Sequence, residues 1–190
     1  MKTNFTKPFV LAGAIAGLAM LPACSSGETT DSVGETQDYT TRTLAAALGD
    51  LPEMASFSGA ISSAQLNSIF DGPASYTVLA PSDEAFNALG EKGQSLMTEE
   101  QRPVLAGVLR EHILPGHLTP EDITAAIESQ GGGVTMTTFG GGDLTFSMDG
   151  ETVVATNPSG EVARFNGAAT QAANGVIIPV DAVMIPGDAG

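Results

Sequence analysis

The 190-residue sequence contains no tryptophan and a single cysteine, Cys24. One cysteine excludes an internal disulfide framework. Only two histidines are present, His112 and His117, and neither has a cysteine partner or an HExxH motif beside it. Because structural and catalytic zinc sites draw on such patterns, we expect no metal site, and no motif points to another cofactor or to a catalytic group.

Basic residues are also scarce. The chain has 7 lysines and arginines against 22 acidic residues, a formal net charge of −15. A surface of this sign repels phosphate backbones, so nucleic acid is excluded as a natural partner, and an anionic bilayer would not bind the bare surface. Hydrophobic residues make up 42% of the chain, which is enough for one domain with a sizeable core.

The N-terminal stretch has the pattern of an export signal. Lys2 and Lys7 precede an apolar run, residues 9–21, that is too short for an ordinary transmembrane helix. Leu21-Pro22-Ala23-Cys24 follows and resembles a bacterial lipobox, in which the peptide before the cysteine is cut and the cysteine thiol carries diacylglycerol. The alternative is a simple secretory signal with Cys24 as an incidental thiol.

These observations divide the chain into four segments. We predict a lipoprotein signal peptide at residues 1–23, a flexible acidic tether at 24–39, a domain at 40–187 and a short tail at 188–190. Ser25 is not the aspartate that tends to retain lipoproteins in the inner membrane. The predicted location is therefore the cell envelope, at the outer membrane if the cell has two, with the domain in the periplasm or outside.

Periodicity favours an α+β fold. Helical spacing dominates the first half of the domain and period-two alternation the second, with one strand at 76–80 placed early. That strand should end at Pro81, with Ser82 as the N-cap of the next helix and Asp83 in its first turn. Further predictions are a helix over 40–48, a capping box at 98–101, a hairpin at Asp149-Gly150 and a last strand over 182–185.

Three stretches, taken together and in order, resemble the fasciclin-like (FAS1) domain. They are TVLAPSDEAF at 77–86, LREHILPG at 109–116 and NGVIIPVDAVMIP at 174–186. The resemblance implies a wedge-shaped domain whose β-sandwich-like core of about seven strands has helices packed around it. It also implies an extracellular adhesion or binding role without a common catalytic activity. The residues that carry the motif are Thr77, Pro81, Ser82, Asp83, Phe86, Asn174, Gly175 and Asp181.

The sequence departs from the family pattern at two places. Glu111-His112 stands where the family has tyrosine-histidine, a neighbourhood linked to integrin binding in animal members. We therefore treat Glu111 and His112 as candidate partner-binding residues and do not carry over an integrin interaction. In the closing block of the family the residue after Val176-Ile177 is usually histidine, but here it is Ile178, followed by Pro179. The proline suggests an edge strand or a bulge.

The polar residues of these motifs also have structural interpretations. His112 lies on the apolar stripe of its helix, which favours a hydrogen-bonded core histidine over a catalyst. Asp181 stands in an apolar run, where a buried carboxylate needs partners, and its position in the family pattern implies that it bonds to backbone groups of the final hairpin.

Two functions remain open. The first is a lipid-anchored, non-catalytic adhesion module for an envelope or matrix protein or polysaccharide, touching the membrane only through its lipid. The second is an envelope small-ligand-binding protein or enzyme. An exposed apolar patch favours the first, and a pocket with convergent polar groups favours the second.

Overall fold

The structure, a computed structural model, describes residues 37–39 and 41–187. Helices occupy most of the first half of this region. They are α1 (Leu44–Gly49), α2 (Ala55–Ser63), α3 (Asn67–Phe70), α4 (Asp83–Ala88), α5 (Glu91–Leu96), α6 (Arg102–Glu111) and α7 (Pro120–Gln130). The strands are β1 (Gln37–Tyr39), β2 (Tyr76–Pro81), β3 (Ile113–Pro115), β4 (Gly133–Thr137), β5 (Asp143–Asp149), β6 (Thr152–Thr156), β7 (Val162–Arg164), β8 (Thr170–Ala172) and β9 (Gly175–Val180).

The first sheet is mixed and is built around β2 and β9. Its strand order is β1-β8-β9-β2-β3. β2 pairs in parallel with β9, from Tyr76 opposite Gly175 to Pro81 opposite Val180, and antiparallel with β3. Thr77, Val78 and Leu79 suit a central pleated strand because β-branched and apolar side chains pack well on both faces.

The second sheet is an antiparallel meander with strand order β4-β5-β6-β7. Asp149 pairs with Thr152 across a two-residue turn in which Gly150 has a φ of 65°. This is the hairpin that the Asp-Gly pair predicts, since a left-handed residue is needed there. Leu144 and Phe146 alternate inward along β5, and their neighbours face solvent.

The first sheet separates two hydrophobic cores. Ile177 of β9 lies in the core shared with the helices, together with Phe57, Phe70 and Leu105. Its neighbours Val176 and Ile178 lie in the second core, which the meander and α7 complete with residues such as Phe146 and Ile123. Successive strand residues face opposite sides, so β9 supplies both cores in turn. The predicted α+β class with a sandwich-like core is confirmed, and the described residues form nine strands.

Three local predictions need correction: the state of residues 37–39, the start of the first helix and the cap at Thr98. Residues 37–39, expected in the tether, form β1 and pair in parallel with β8. The first helix starts at Leu44, with the Thr43 side chain accepting the Ala46 N–H, and not at residue 40. Thr98 forms no capping box. Its hydroxyl donates to the Ser95 carbonyl, and Glu99–Gln101 is a 3-10 turn.

Pro179 is accommodated without an edge strand or a bulge. β9 lies inside the sheet, but its pairing with β8 ends at Ile177. Pro179 has no N–H to donate, but no β8 carbonyl lies opposite it, so no acceptor loses its donor. The Pro179 carbonyl accepts the Asn166 N–H at 2.9 Å. The expectation of an edge strand or bulge at this proline is wrong because β8 is shorter than β9.

The signal peptide, Cys24 and the tail at 188–190 lie outside the described residues. Among the residues that are described, no helix has the length and apolar character needed to cross a membrane.

Candidate partner-binding site

Helix α6 brings Glu111 and His112 to one end of the first sheet. Leu105, Val108 and Leu109 form its buried stripe, as their spacing predicts. Glu111 is the last helical residue and His112 follows as the C-cap, directly before β3. The two candidate residues therefore point in different directions, and their environments differ.

His112 is completely buried, at 0% exposure. Its Nδ1–H donates to the Val108 carbonyl at 2.9 Å, and its Nε2 accepts the Met184 N–H at 3.0 Å. Burial lowers the pKa of His112 to about 4, although the hydrogen bond to Val108 acts in the opposite direction. The ring is therefore neutral, works as a structural connector and offers no surface to a partner. Because the His112 side chain is buried, it cannot contact a partner directly.

The segment that His112 holds is the C-terminal strap, defined as residues 183–187. Three of its backbone N–H groups donate hydrogen bonds to side chains. Met184 donates to His112, Ile185 to the Glu161 carboxylate, and Gly187 to Ser159 Oγ at 2.6 Å. The sequence predicts a strand over 182–185, but these residues belong to no sheet. The prediction is wrong because side-chain acceptors replace the strand ladder.

Glu111 is half-buried and lies against a turn of three glycines, residues 140–142, called here the glycine turn. Its carboxylate accepts the Thr138 hydroxyl at 2.6 Å. A Cβ added to Gly140 or Gly142 would come within 2.2 or 2.3 Å of a Glu111 carboxylate oxygen. Glycine at these two positions leaves room for the carboxylate at the end of the Glu111 side chain, which would have to move if either residue carried a Cβ. Glu111 is a positioning residue for the turn.

Backbone hydrogen bonds fix the rest of the loop. The Thr138 N–H donates to the Gly142 carbonyl at 2.7 Å, and the Gly140 N–H donates to the Arg110 carbonyl at 3.1 Å. Between them the Phe139 N–H donates to the Ile113 carbonyl of β3 at 2.7 Å. The loop is thus closed on itself and tied to α6 and to the first sheet, which holds the backbone of Phe139 in place.

That side chain, Phe139, is 41% exposed. Its ring meets Tyr76 edge to face at a centroid distance of 5.7 Å, and Tyr76 in turn meets Phe70 at 6.4 Å. The sequence analysis did not single out Phe139. The available signal was an aromatic residue placed directly before three glycines, where the alternation of β4 has ended.

The strand-to-helix joint is scaffold. Ser82 Oγ accepts the Ala85 N–H at 3.2 Å, so it is the N-cap of α4 as predicted. Asp83 accepts the Ser56 N–H of α2 at 2.7 Å. The Thr77 hydroxyl donates to Gly116 and accepts from Leu118, and Phe86 packs against Phe57. Pro81 is the last residue of β2.

The closing block is held by two polar side chains. The Asn174 amide accepts the Leu44 N–H at 2.8 Å and donates to the Phe70 carbonyl at 2.6 Å. Asp181 accepts the Arg164 N–H at 2.7 Å, and its own N–H donates to the Arg164 carbonyl. Asp181 bonds to backbone as expected, but to β7 and not within a final hairpin. These two bonds pair the Arg164 N–H and carbonyl on β7, at the outer edge of the meander.

Ser82 accepts the Ala85 N–H and Asp83 accepts the Ser56 N–H, so both side chains serve helix ends, while both ring nitrogens of His112 are bonded to backbone groups. Within residues 37–39 and 41–187, no cluster of three or more His, Cys, Asp or Glu side chains could hold a metal ion. An open groove of about 490 Å³ lies beside Glu53, Asp83 and Glu84.

These features define an α+β domain in which a mixed sheet separates two cores and a hydrogen-bonded loop presents an aromatic ring. The fasciclin domain model matches residues 52–186, and the chain belongs to this family. The fold is similar to that of the fasciclin (FAS1) domain pair of the insect cell adhesion molecule fasciclin I, with a TM-score of 0.67 and 16% identity over 76% of this chain. The chain spans about half (51%) of that structure's length. No curated protein sequence matches it.

Proposed function

We propose that the protein is a lipid-anchored, extracytoplasmic and non-catalytic adhesion module that binds an envelope or matrix protein or polysaccharide. Membership of the fasciclin family, whose domains are in general adhesion modules, supports this role. The observation that carries it is the exposed ring of Phe139 on a loop that Glu111 and three glycines hold in one conformation.

The surroundings of Phe139 suit recognition. Aromatic and arginine side chains are enriched among residues that dominate binding energy. Arg110, whose carbonyl holds the glycine turn, is exposed and forms no salt bridge within the described residues. Because the loop is already ordered, little conformational entropy is lost when a partner covers the ring.

Replacing Phe139 with alanine is expected to lower attachment of cells that display the full chain to extracted envelope or matrix material. A central aromatic contact contributes about 2 kcal/mol or more to binding, or roughly thirtyfold in affinity. Unfolding temperature should change little, since the ring is partly exposed.

Met148→Ala is the matched control, because Met148 is another exposed apolar residue, at 37%, on β5 of the meander. Loss of attachment in both variants alike, or in Met148→Ala alone, would contradict a partner site at Phe139.

The anchor is Cys24, at the end of the predicted signal peptide. Twelve residues, 25–36, separate it from β1. Even if they were fully extended, β1 would stay within about 40 Å of the membrane. Two or more acyl chains supply stable membrane binding that an acidic surface cannot. Because residue 25 is serine, we place the anchor at the outer membrane in a cell with two membranes.

Cys24→Ser is expected to abolish labelling with a radiolabelled fatty acid and to move the protein from the membrane pellet to the soluble fraction. Ser25→Ala, one position further on, should keep both the label and the membrane fraction. Labelling that persists in Cys24→Ser would remove the lipid anchor from the proposal and leave a simple secretory signal.

A small-ligand-binding role is the second candidate, because two clefts flank the C-terminal strap. One of about 290 Å³ is lined by Glu111, Leu144 and Met184, and the other, of about 470 Å³, lies on the α6 side.

A further inference from the structure

The groove on the α6 side of the strap is mainly apolar. Its walls include Leu96 from α5, Val104 and Val108 from α6, and Ile185 and Pro186 from the strap. Val104 is 51% exposed, more than any other large apolar side chain in the described region. A volume of about 470 Å³ is within the range of sites that bind small molecules. The groove therefore has room for an apolar body the size of a short aliphatic chain.

Gly107 forms part of the floor of this groove. It lies inside α6, where glycine is less favourable than alanine because it loses more backbone freedom on folding. A Cβ built on Gly107 would meet no atom within 4 Å, so no neighbour in the domain requires a glycine here. By contrast, a Cβ on Gly93 of α5 would lie 2.9 Å from Leu89 Cβ, which is a packing reason for that glycine. The missing side chain of Gly107 keeps the groove open.

One cation stands at the groove. Lys92 is exposed, is the only lysine among the described residues and forms no salt bridge there. The carboxylate in the groove wall, Glu161, is already occupied, since it accepts the Ile185 N–H and the Asn157 amide at 3.3 Å. In a chain with 22 acidic side chains, a lysine that forms no salt bridge within the described residues and stands beside an apolar groove is complementary to a ligand that brings its own negative charge.

We propose that this groove binds a small aliphatic carboxylate, with its chain over Gly107 between Val104 and the strap and its carboxylate on Lys92. The site is separate from the Phe139 surface and would make the protein a ligand carrier as well as an adhesion module. Binding is expected to be weak, because an exposed ion pair contributes little and the apolar contact is short.

The probes are octanoate, octanol and octylamine, titrated into the full chain and followed by NMR shifts of the Val104 and Ile185 methyl groups. Octanoate should bind more tightly than octanol, and octylamine should bind worst of the three. In Lys92→Gln the affinity for octanoate should fall by about fivefold, the upper range for an exposed ion pair, and octylamine should gain because the lysine charge that repels its ammonium group is gone. Lys92→Arg should keep the preference for octanoate.

Gly107→Leu fills the groove and should abolish octanoate binding. Gly59→Leu is its matched control, since Gly59 lies on α2, lines none of the clefts beside the strap and also has no atom within 4 Å of an added Cβ. Thermal unfolding separates a folding defect from a filled groove. Equal binding of octanoate and octylamine by the wild type, undiminished octanoate binding by Gly107→Leu, or no saturation at any soluble concentration would each overturn the proposal.

Discussion

Gly175→Ala is expected to be the most destabilising single methyl group that can be added to this domain. Gly175 is where β9 begins opposite Tyr76, and a Cβ built on it would lie 2.0 Å from the Tyr76 carbonyl oxygen and 2.7 Å from Leu44 Cδ1. The first of these atoms belongs to the backbone, so no side-chain rotation relieves the contact. The central strand pair must separate, at a cost of about 3 kcal/mol or more.

Urea unfolding measures this cost through the shift of the midpoint at an unchanged slope. The control is Gly49→Ala at the end of α1, where an added Cβ meets nothing within 4 Å. That variant should be as stable as the wild type or slightly more so. A Gly175→Ala protein with an unchanged midpoint would show that β2 and β9 do not approach as closely as described.

The second large effect is acid destabilisation through His112. The folded-state pKa is lowered to about 4 from an ordinary value of 6.5, because burial disfavours the charged ring. Above pH 6.5 the His112 ring is neutral in both the folded and the unfolded chain, and its contribution to the free energy of unfolding is fully present. Between pH 6.5 and 4 only the unfolded chain takes up the proton, so stability falls as pH falls, by about 3 kcal/mol in total. Below pH 4 this residue adds no further loss.

Protonation also removes an acceptor. A charged ring has N–H at both nitrogens, so Nε2 can no longer accept the Met184 N–H, while Nδ1 still donates to Val108. The measurement is the unfolding free energy at pH 7 and at pH 4.5. His112→Gln, which cannot titrate, should be less stable at pH 7 and lose much less on acidification. An equally steep loss in both proteins would assign the acid effect to other groups.

Local signals in the sequence predict the first sheet's centre well. At residues 76–86 the β-branched strand, the proline, the serine cap and the acidic first turn all lie within a dozen positions, and each acts on its immediate neighbours. The same holds for the Thr119 cap of α7, which forms a full capping box with Asp122, and for the Asp-Gly turn. At these places the determinants are neighbours in sequence, and pattern and structure agree; the capping box expected at Thr98 is a local signal that does not form.

Three features that the sequence did not predict share a different cause. Residues 182–185 are an apolar run typical of a short buried strand, but the N–H groups of Met184 and Ile185 donate to His112 and Glu161, 72 and 24 positions away. β1 carries no apolar alternation and is a strand only because β8 offers it an edge. The exposure of Phe139 depends on where the glycine turn meets Glu111, 29 positions before Gly140. Contacts between distant segments decide all three, and periodicity does not report them.

The pairing of β2 with β9 has a consequence for how the chain folds. The two strands lie about a hundred residues apart, so the sheet at the centre of the domain cannot close until nearly the whole sequence is available. β1 depends in the same way on β8, which lies almost as late in the chain. A chain threaded N-terminus first through an export channel would therefore stay unfolded during its passage and complete its fold only on the far side.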